Sequence, residues 1–255
     1  MGIGFFDSGI GGLTVLKEAL TQMPHEDYIY YADTLHVPYG TKPKEEVRSY
    51  IFEAADFMTE KGIKALVVAC NTATSIAISD LRQKYSFPII GMEPAVKPAV
   101  EKSNHKRVLV AATPLTLKEE KFHNLVSRVD VENLVDFLPL PELVDFAERF
   151  IFDEQMILTY LKKKLSPFDM GKFGTIVLGC THFPFYRSVF KKLLPESTCI
   201  IDGSAGTVKR LKSILEEKGM CSCKNSSGRI DFYSSGRKEK DASRFMKYLE
   251  LLDQV

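Results

Sequence analysis

Charge of one sign, cysteine and long apolar runs are all in short supply in this 255-residue sequence. Lys and Arg number 34 against 33 Asp and Glu, a net charge of +1. Proteins that live on phosphate backbones carry a basic excess, so nucleic-acid binding is not expected. The longest uncharged run, Ala65 to Ser79, is interrupted by Asn71, Thr72, Thr74 and Ser75. A bilayer needs about 20 apolar residues, so no membrane span is expected. The first residues, Met1-Gly2-Ile3-Gly4-Phe5-Phe6-Asp7, show neither a basic segment nor a cleavage pattern, and no secretory leader is expected. Five cysteines, an odd and thin count, argue against a disulfide framework and for reduced thiols in a cytoplasm.

The motifs of common cofactor sites are missing too. Gly9-Ile-Gly-Gly12 lacks the G-x-G-x-x-G spacing, and Asp7 would set a negative charge against a pyrophosphate. There is no Walker A pattern and no H-E-x-x-H. Cys221-Ser-Cys223 is a lone C-x-C without the rest of a zinc site, and no metal is expected. His25, His36, His105 and His123 read as loop or surface residues and are assigned no role.

What is present is alternation. Hydrophobic residues make up 45% and charged residues 26%, enough for a sizeable core in one or two domains. Apolar runs predict strands at Ile3 to Phe6, Tyr28 to Tyr31, Ala65 to Ala69 and Phe87 to Ile90. Val47, Tyr50, Ile51, Ala54 and Met58 recur at helical spacing, and Thr72 to Lys84 is a further helix. The second half repeats the scheme, with strands at Arg107 to Ala112, Thr175 to Leu178 and Thr198 to Ile201. Thr113-Pro114 opens a helix carrying Phe122, Leu125 and Val129, and a long helical region runs from Glu142 to Lys164. A strand at Ile230 to Tyr233 and a helix from Ala242 to Leu252 follow an exposed loop, Lys218 to Arg229. The class is α/β, with mostly parallel sheets flanked by helices.

A near-repeat divides the chain. Val67-Val-Ala-Cys70-Asn-Thr72 and Val177-Leu-Gly-Cys180-Thr-His182 each place a cysteine after a buried strand, 110 residues apart. Asp7-Ser8 and Thr113-Pro114 follow strands 106 residues apart. Two pseudo-symmetric lobes with a cleft between them are predicted: residues 1–95 with 208–255, carrying Cys70, and 96–207, carrying Cys180.

In such sheets ligands bind beyond the carboxyl ends of the strands. Asp7, Ser8, Cys70, Asn71, Thr72, Thr113, Cys180, Thr181 and His182 all fall there. Two facing thiols suit a carbon acid that loses a proton on one face and regains one on the other, giving the mirror image. A thiol qualifies as the base because its ordinary pKa, about 8.5, lies near working pH. A single buried cysteine is more often core than catalyst, but the matched pair shifts that balance. Asn71, Thr72 and Thr181 would serve equally as helix caps, and backbone N–H groups at helix starts favour carboxylates. His182 could be a metal ligand, a structural cap or an acid; its place beside Cys180 favours an acid–base helper.

Four motifs carry a resemblance. Phe6-Asp-Ser-Gly-Ile-Gly-Gly-Leu13, Val37-Pro-Tyr-Gly-Thr-Lys42, Ala69-Cys-Asn-Thr-Ala-Thr74 and Leu178-Gly-Cys-Thr-His-Phe-Pro184 resemble, in order and spacing, the glutamate racemases across essentially the whole chain. The resemblance implies a cytoplasmic enzyme that interconverts L- and D-glutamate for peptidoglycan, without pyridoxal phosphate or any other cofactor or metal. It implies that Cys70 deprotonates D-glutamate and Cys180 L-glutamate, assisted by Asp7 and His182, with Glu148 in support. Ser8, Pro38, Tyr39, Gly40, Asn71, Thr72, Thr113, Thr181, Asp7 and His182 would hold the substrate, and a homodimer is expected. The sequence departs from the family at Leu140, where a cysteine is usual, and loosely at Gly203-Ser-Ala-Gly206. It begins directly at the first strand, so the precursor-linked activation tied to N-terminal extensions in some members is not expected.

Three rivals are weighed. A racemase for aspartate or another small acid fits the same motifs. A two-lobed solute-binding module would not need matched thiols. A cysteine hydrolase using Cys180 and His182 would leave Cys70 unexplained and would form an acyl-enzyme.

Overall fold

The computed structural model describes residues 1–92, 94–223, 225–238 and 242–254. The first half alternates β1 (Ile3–Asp7), α1 (Leu13–Gln22), β2 (Tyr28–Ala32), a 3-10 turn at Tyr39–Thr41, α2 (Lys44–Glu60), β3 (Ala65–Val68), α3 (Asn71–Lys84) and β4 (Ile89–Gly91). The chain crosses through α4 (Val96–Lys102) into β5 (Arg107–Ala112), α5 (Pro114–Lys118), α6 (Glu120–Val129), β6 (Val135–Pro139), α7 (Glu142–Glu148) and α8 (Glu154–Leu165). Then come β7 (Phe173–Leu178), α9 (Arg187–Leu193), β8 (Cys199–Asp202), α10 (Ser204–Glu217), β9 (Ile230–Ser234), β10 (Arg237–Lys238) and α11 (Ser243–Leu251).

Two sheets result, and the expected α/β class holds. One has the order β10-β9-β2-β1-β3-β4, the other β6-β5-β7-β8. Every strand pair is parallel except β10 with β9. The central strands are buried along their whole length, as IGFFD, YIYYA and ALVV require when helices cover both faces. One apolar core runs through both sheets, from Ile3, Phe5 and Tyr30 to Leu109, Ile176 and Leu178. Each such side chain contributes about 1.5–3 kcal/mol through burial. Among the described residues no helix is long and apolar enough to cross a membrane.

Three expectations need correction. The helix from Thr113-Pro114 is two helices, broken at Glu119, whose extended backbone carries its carboxylate to Lys44 Nζ, 2.7 Å away on α2. The helical region from Glu142 to Lys164 is also two helices. Phe150 takes φ +57°, Ile151 N–H bonds to Phe146 O at 2.8 Å, and Phe150 N–H to Ala147 O at 3.0 Å. That is a Schellman ending with phenylalanine where glycine is usual, so the stop signal was disguised. Asp153 then caps α8 by accepting from Met156 N–H. Finally, β6 and α10 were not foreseen. β6 is a half-exposed edge strand containing Asp136 and Pro139, and its apolar signal is weak. α10 runs unbroken from Ser204 to Glu217.

Candidate active site

The carboxyl ends of β1, β3, β5 and β7 converge, and each delivers a polar turn. Cys70 follows β3 and caps α3: its Sγ accepts from Ala73 N–H at 3.4 Å, and its S–H is 3.8 Å from Ser8 Oγ. Burial first, then the charge of Asp7, pushes this thiol up to about 12. Charge on Cys180 pushes the same way, so the surroundings keep Cys70 protonated.

Cys180 follows β7, with Sγ 3.7 Å from His182 Nδ1. His182 Nε2 lies 2.7 Å from Glu148 Oε1, which also accepts from Ile10 N–H at 2.8 Å. Burial alone would pull the imidazole down, but its hydrogen bonds to Cys180 and Glu148 outweigh that and hold it well above its ordinary value. A protonated imidazole donates from both nitrogens, to Glu148 on one side and to the sulfur on the other. It is the counter-charge that a thiolate at Cys180 needs. The two thiols thus occupy opposite environments.

Asp7 joins the halves. Its Oδ1 accepts from Gly9 N–H at 2.9 Å, and its Oδ2 from the Thr181 hydroxyl at 3.0 Å, across the interface between the sheets. Burial pushes the carboxyl from 3.8 up to about 6, against the lowering charge of His182. With the folded value raised, the stability this group contributes is fully present below about pH 4 and is lost as pH rises through 6. Ionising it in the fold costs on the order of 3 kcal/mol. Asp7→Asn is therefore expected to melt above the parent at pH 8 and to lose that margin by pH 4 in scanning calorimetry. A margin constant with pH would refute the raised value.

Hydroxyls and amides line the other walls. Thr72 Oγ1 lies 2.9 Å from Thr113 Oγ1 and 3.0 Å from Thr116 Oγ1, and those two are 2.9 Å apart, a triangle that spans α3 and α5. Asn71 is buried with its amide nitrogen and oxygen both lacking partners among the described residues. Such a group costs about 1–3 kcal/mol unless a ligand completes it. The turn of Tyr39 and Gly40 packs against α5, with Pro38 leading into it. Among the described residues, no group of three or more His, Cys, Asp or Glu side chains is placed to hold a metal ion.

Asp7, Ser8, Cys70, Asn71, Thr72, Thr113, Glu148, Cys180, Thr181 and His182 thus lie at this junction, with the Pro38-Tyr39-Gly40 turn beside it. Others were overlooked. Asp33, at the end of β2, accepts from Tyr39 OH at 2.6 Å and from Ser235 Oγ at 3.1 Å, and it meets His36 Nδ1 at 2.9 Å. His36, given no role, therefore supports the Tyr39 turn. The strand-end rule that found Asp7 also covers Asp33. Thr116 carried a signal too, one helical turn after Thr113. Arg244, Lys44 and Glu119 carried none, because their contacts join distant parts of the chain.

Two mostly parallel sheets that meet at their strand ends, each contributing a buried thiol, define a two-lobed α/β protein. The profile of the Asp/Glu/Hydantoin racemase family matches residues 11–211. The chain is 61% identical over 255 residues to the glutamate racemase of Halothermothrix orenii, covering 100% of both chains. A glutamate racemase isoform from Bacillus anthracis superposes with a TM-score of 0.86 at 31% identity, covering 100% of this chain and 94% of that one. Escherichia coli glutamate racemase in complex with L-glutamate and the activator UDP-MurNAc-ala gives a TM-score of 0.82 at 31% identity, covering 98% and 95%. The chain belongs to the Asp/Glu/hydantoin racemase family, and its resemblance to the glutamate racemases extends over its full length.

Proposed function

We propose that this protein interconverts L- and D-glutamate by proton transfer between two thiols, one from each lobe (residues 1–95 with 208–255, and 96–207). The observation that carries this reading is the pair of buried thiols at matched strand ends, Cys70 beside Ser8 Oγ and Cys180 with its Sγ 3.7 Å from His182 Nδ1. Cys180 takes the α-proton from L-glutamate, its electron pair closing an S–H bond. The Cα–H pair remains as a carbanion, which takes the Cys70 proton on its opposite face. The reverse direction begins with the thiolate on Cys70. An α-proton of a zwitterion is very weakly acidic, so the site must exclude water and meet the developing charge with fixed donors. The Asn71 amide, the Thr72–Thr113–Thr116 hydroxyls and the Ser8 hydroxyl are such donors. Asp7 and His182 assist the two thiols, and Glu148 steadies His182. No cofactor or metal enters the reaction.

The same reading implies a cytoplasmic homodimer that supplies D-glutamate for peptidoglycan. The test is L-glutamate in D2O with purified protein, followed by polarimetry and by proton NMR at Cα. Loss of rotation with deuterium entering Cα is expected. Unchanged L- and D-glutamate would end the assignment, with aspartate tried next, and binding without exchange would favour a solute-binding module.

A further inference from the structure

The short helix α7 ends at Glu148, and the last carbonyls of a helix lack partners within it. Here α11, from the far end of the chain, adds donors to those of the helix ending. Tyr248 OH donates to Ala147 O at 2.8 Å and reaches Glu148 O at 3.4 Å. Arg244 Nη2 lies 3.4 Å from Glu148 O and 3.5 Å from Glu148 Oε2. One guanidinium nitrogen thus reaches both the backbone and the side chain of a single residue. The other oxygen of the same carboxylate holds His182 and Ile10 N–H. The chain of contacts runs Arg244, Glu148, His182, Cys180, from a half-exposed arginine to a buried thiol.

We propose that Arg244 is a positioning residue for the Cys180 half of the reaction: by fixing the Glu148 carboxylate from α11, it sets the orientation and charge of His182 without touching substrate. This rests on the two-thiol reading above. The groups facing His182 are Cys180 on its own turn, Glu148 from α7 and Asp7 from β1, with Arg244 and Tyr248 of α11 acting on Glu148. Without the guanidinium, the carboxylate keeps Ile10 N–H and the imidazole but loses its outer anchor and a neighbouring positive charge, so the imidazolium is aligned less firmly and holds its proton more tightly.

The experiment compares Arg244→Gln and Arg244→Lys with the parent protein. Histidine 15N NMR titration of His182 is expected to show a midpoint higher by about 0.5–1 unit in Arg244→Gln. Its kcat is expected to fall about five- to tenfold, with KM for glutamate within about twofold. The alkaline limb of the kcat profile should move up with the NMR midpoint, and Arg244→Lys, which keeps the charge, should recover part of both. An unmoved His182 midpoint overturns the proposal, as does a change confined to KM or to melting temperature. The titration needs no turnover, so it separates failure of this proposal from failure of the glutamate reading.

Discussion

Cys70→Ser and Cys180→Ser are each expected to lower racemisation by about a thousandfold or more while leaving the melting temperature nearly unchanged. Removal of a positioned acid or base costs about a hundred- to ten-thousandfold, and serine is far too weak an acid to replace a thiol as the proton carrier. The loss in kcat/KM must be the same in both directions. Enantiomers have equal free energy in water, so the equilibrium constant is unity and no variant can favour one direction. The handedness of the defect shows instead in isotope exchange. Cys70→Ser keeps the thiol assigned to L-glutamate and is expected to exchange the α-proton of that enantiomer slowly, with retention. Cys180→Ser should do so only with D-glutamate. Proton NMR in D2O reads both results. Full racemase activity in either variant would refute the two-thiol mechanism, and exchange with the opposite enantiomer would reverse the assignment.

Gly11→Ala is expected to cost about a hundredfold in kcat/KM, because misplacement by about 1 Å at a reacting centre has effects of that order. A Cβ at Gly11 would run into His182 Nδ1 and Thr181 Oγ1. Neither can step aside, since Glu148 pins the imidazole and Asp7 pins the hydroxyl. A Cβ at Gly9 would likewise strike the Glu148 carboxylate. The lobes would have to separate, and overpacking of this kind costs about 1–3 kcal/mol. Gly206→Ala is the control: nothing lies within 4 Å of the added carbon, and it should keep full activity. Near-parent kinetics in Gly11→Ala would show that the glycine loop tolerates separation.

Those glycines show where reading the sequence stopped. Gly9-Ile-Gly-Gly12 failed as a dinucleotide loop on spacing and charge, but its positive reason lay 170 residues away, in Thr181 and His182. The strand-to-thiol turns were legible because each is local: an apolar run, then cysteine, then helix-capping polar residues. Glu148 was reached only through the family resemblance, since the helix ending that aims it depends on a phenylalanine with positive φ. Phe150 packs its ring on Phe152 and Tyr248, at 5.1 and 5.0 Å, and those partners come from separate segments. Pattern within a segment was readable. Contacts between segments, such as Lys44 with Glu119 or Tyr39 with Asp33, were not.

The parallel pairing of β9 with β2, from Tyr28↔Ile230 to Ala32↔Ser234, sets an order on synthesis. All four strands of the second sheet lie between residues 107 and 202, so that lobe can close while the remaining chain is still in the ribosome. The first sheet cannot: β2 keeps a bare edge until residue 234 has emerged, although its own residues were among the first made. Until then that edge is open to pairing with another nascent chain.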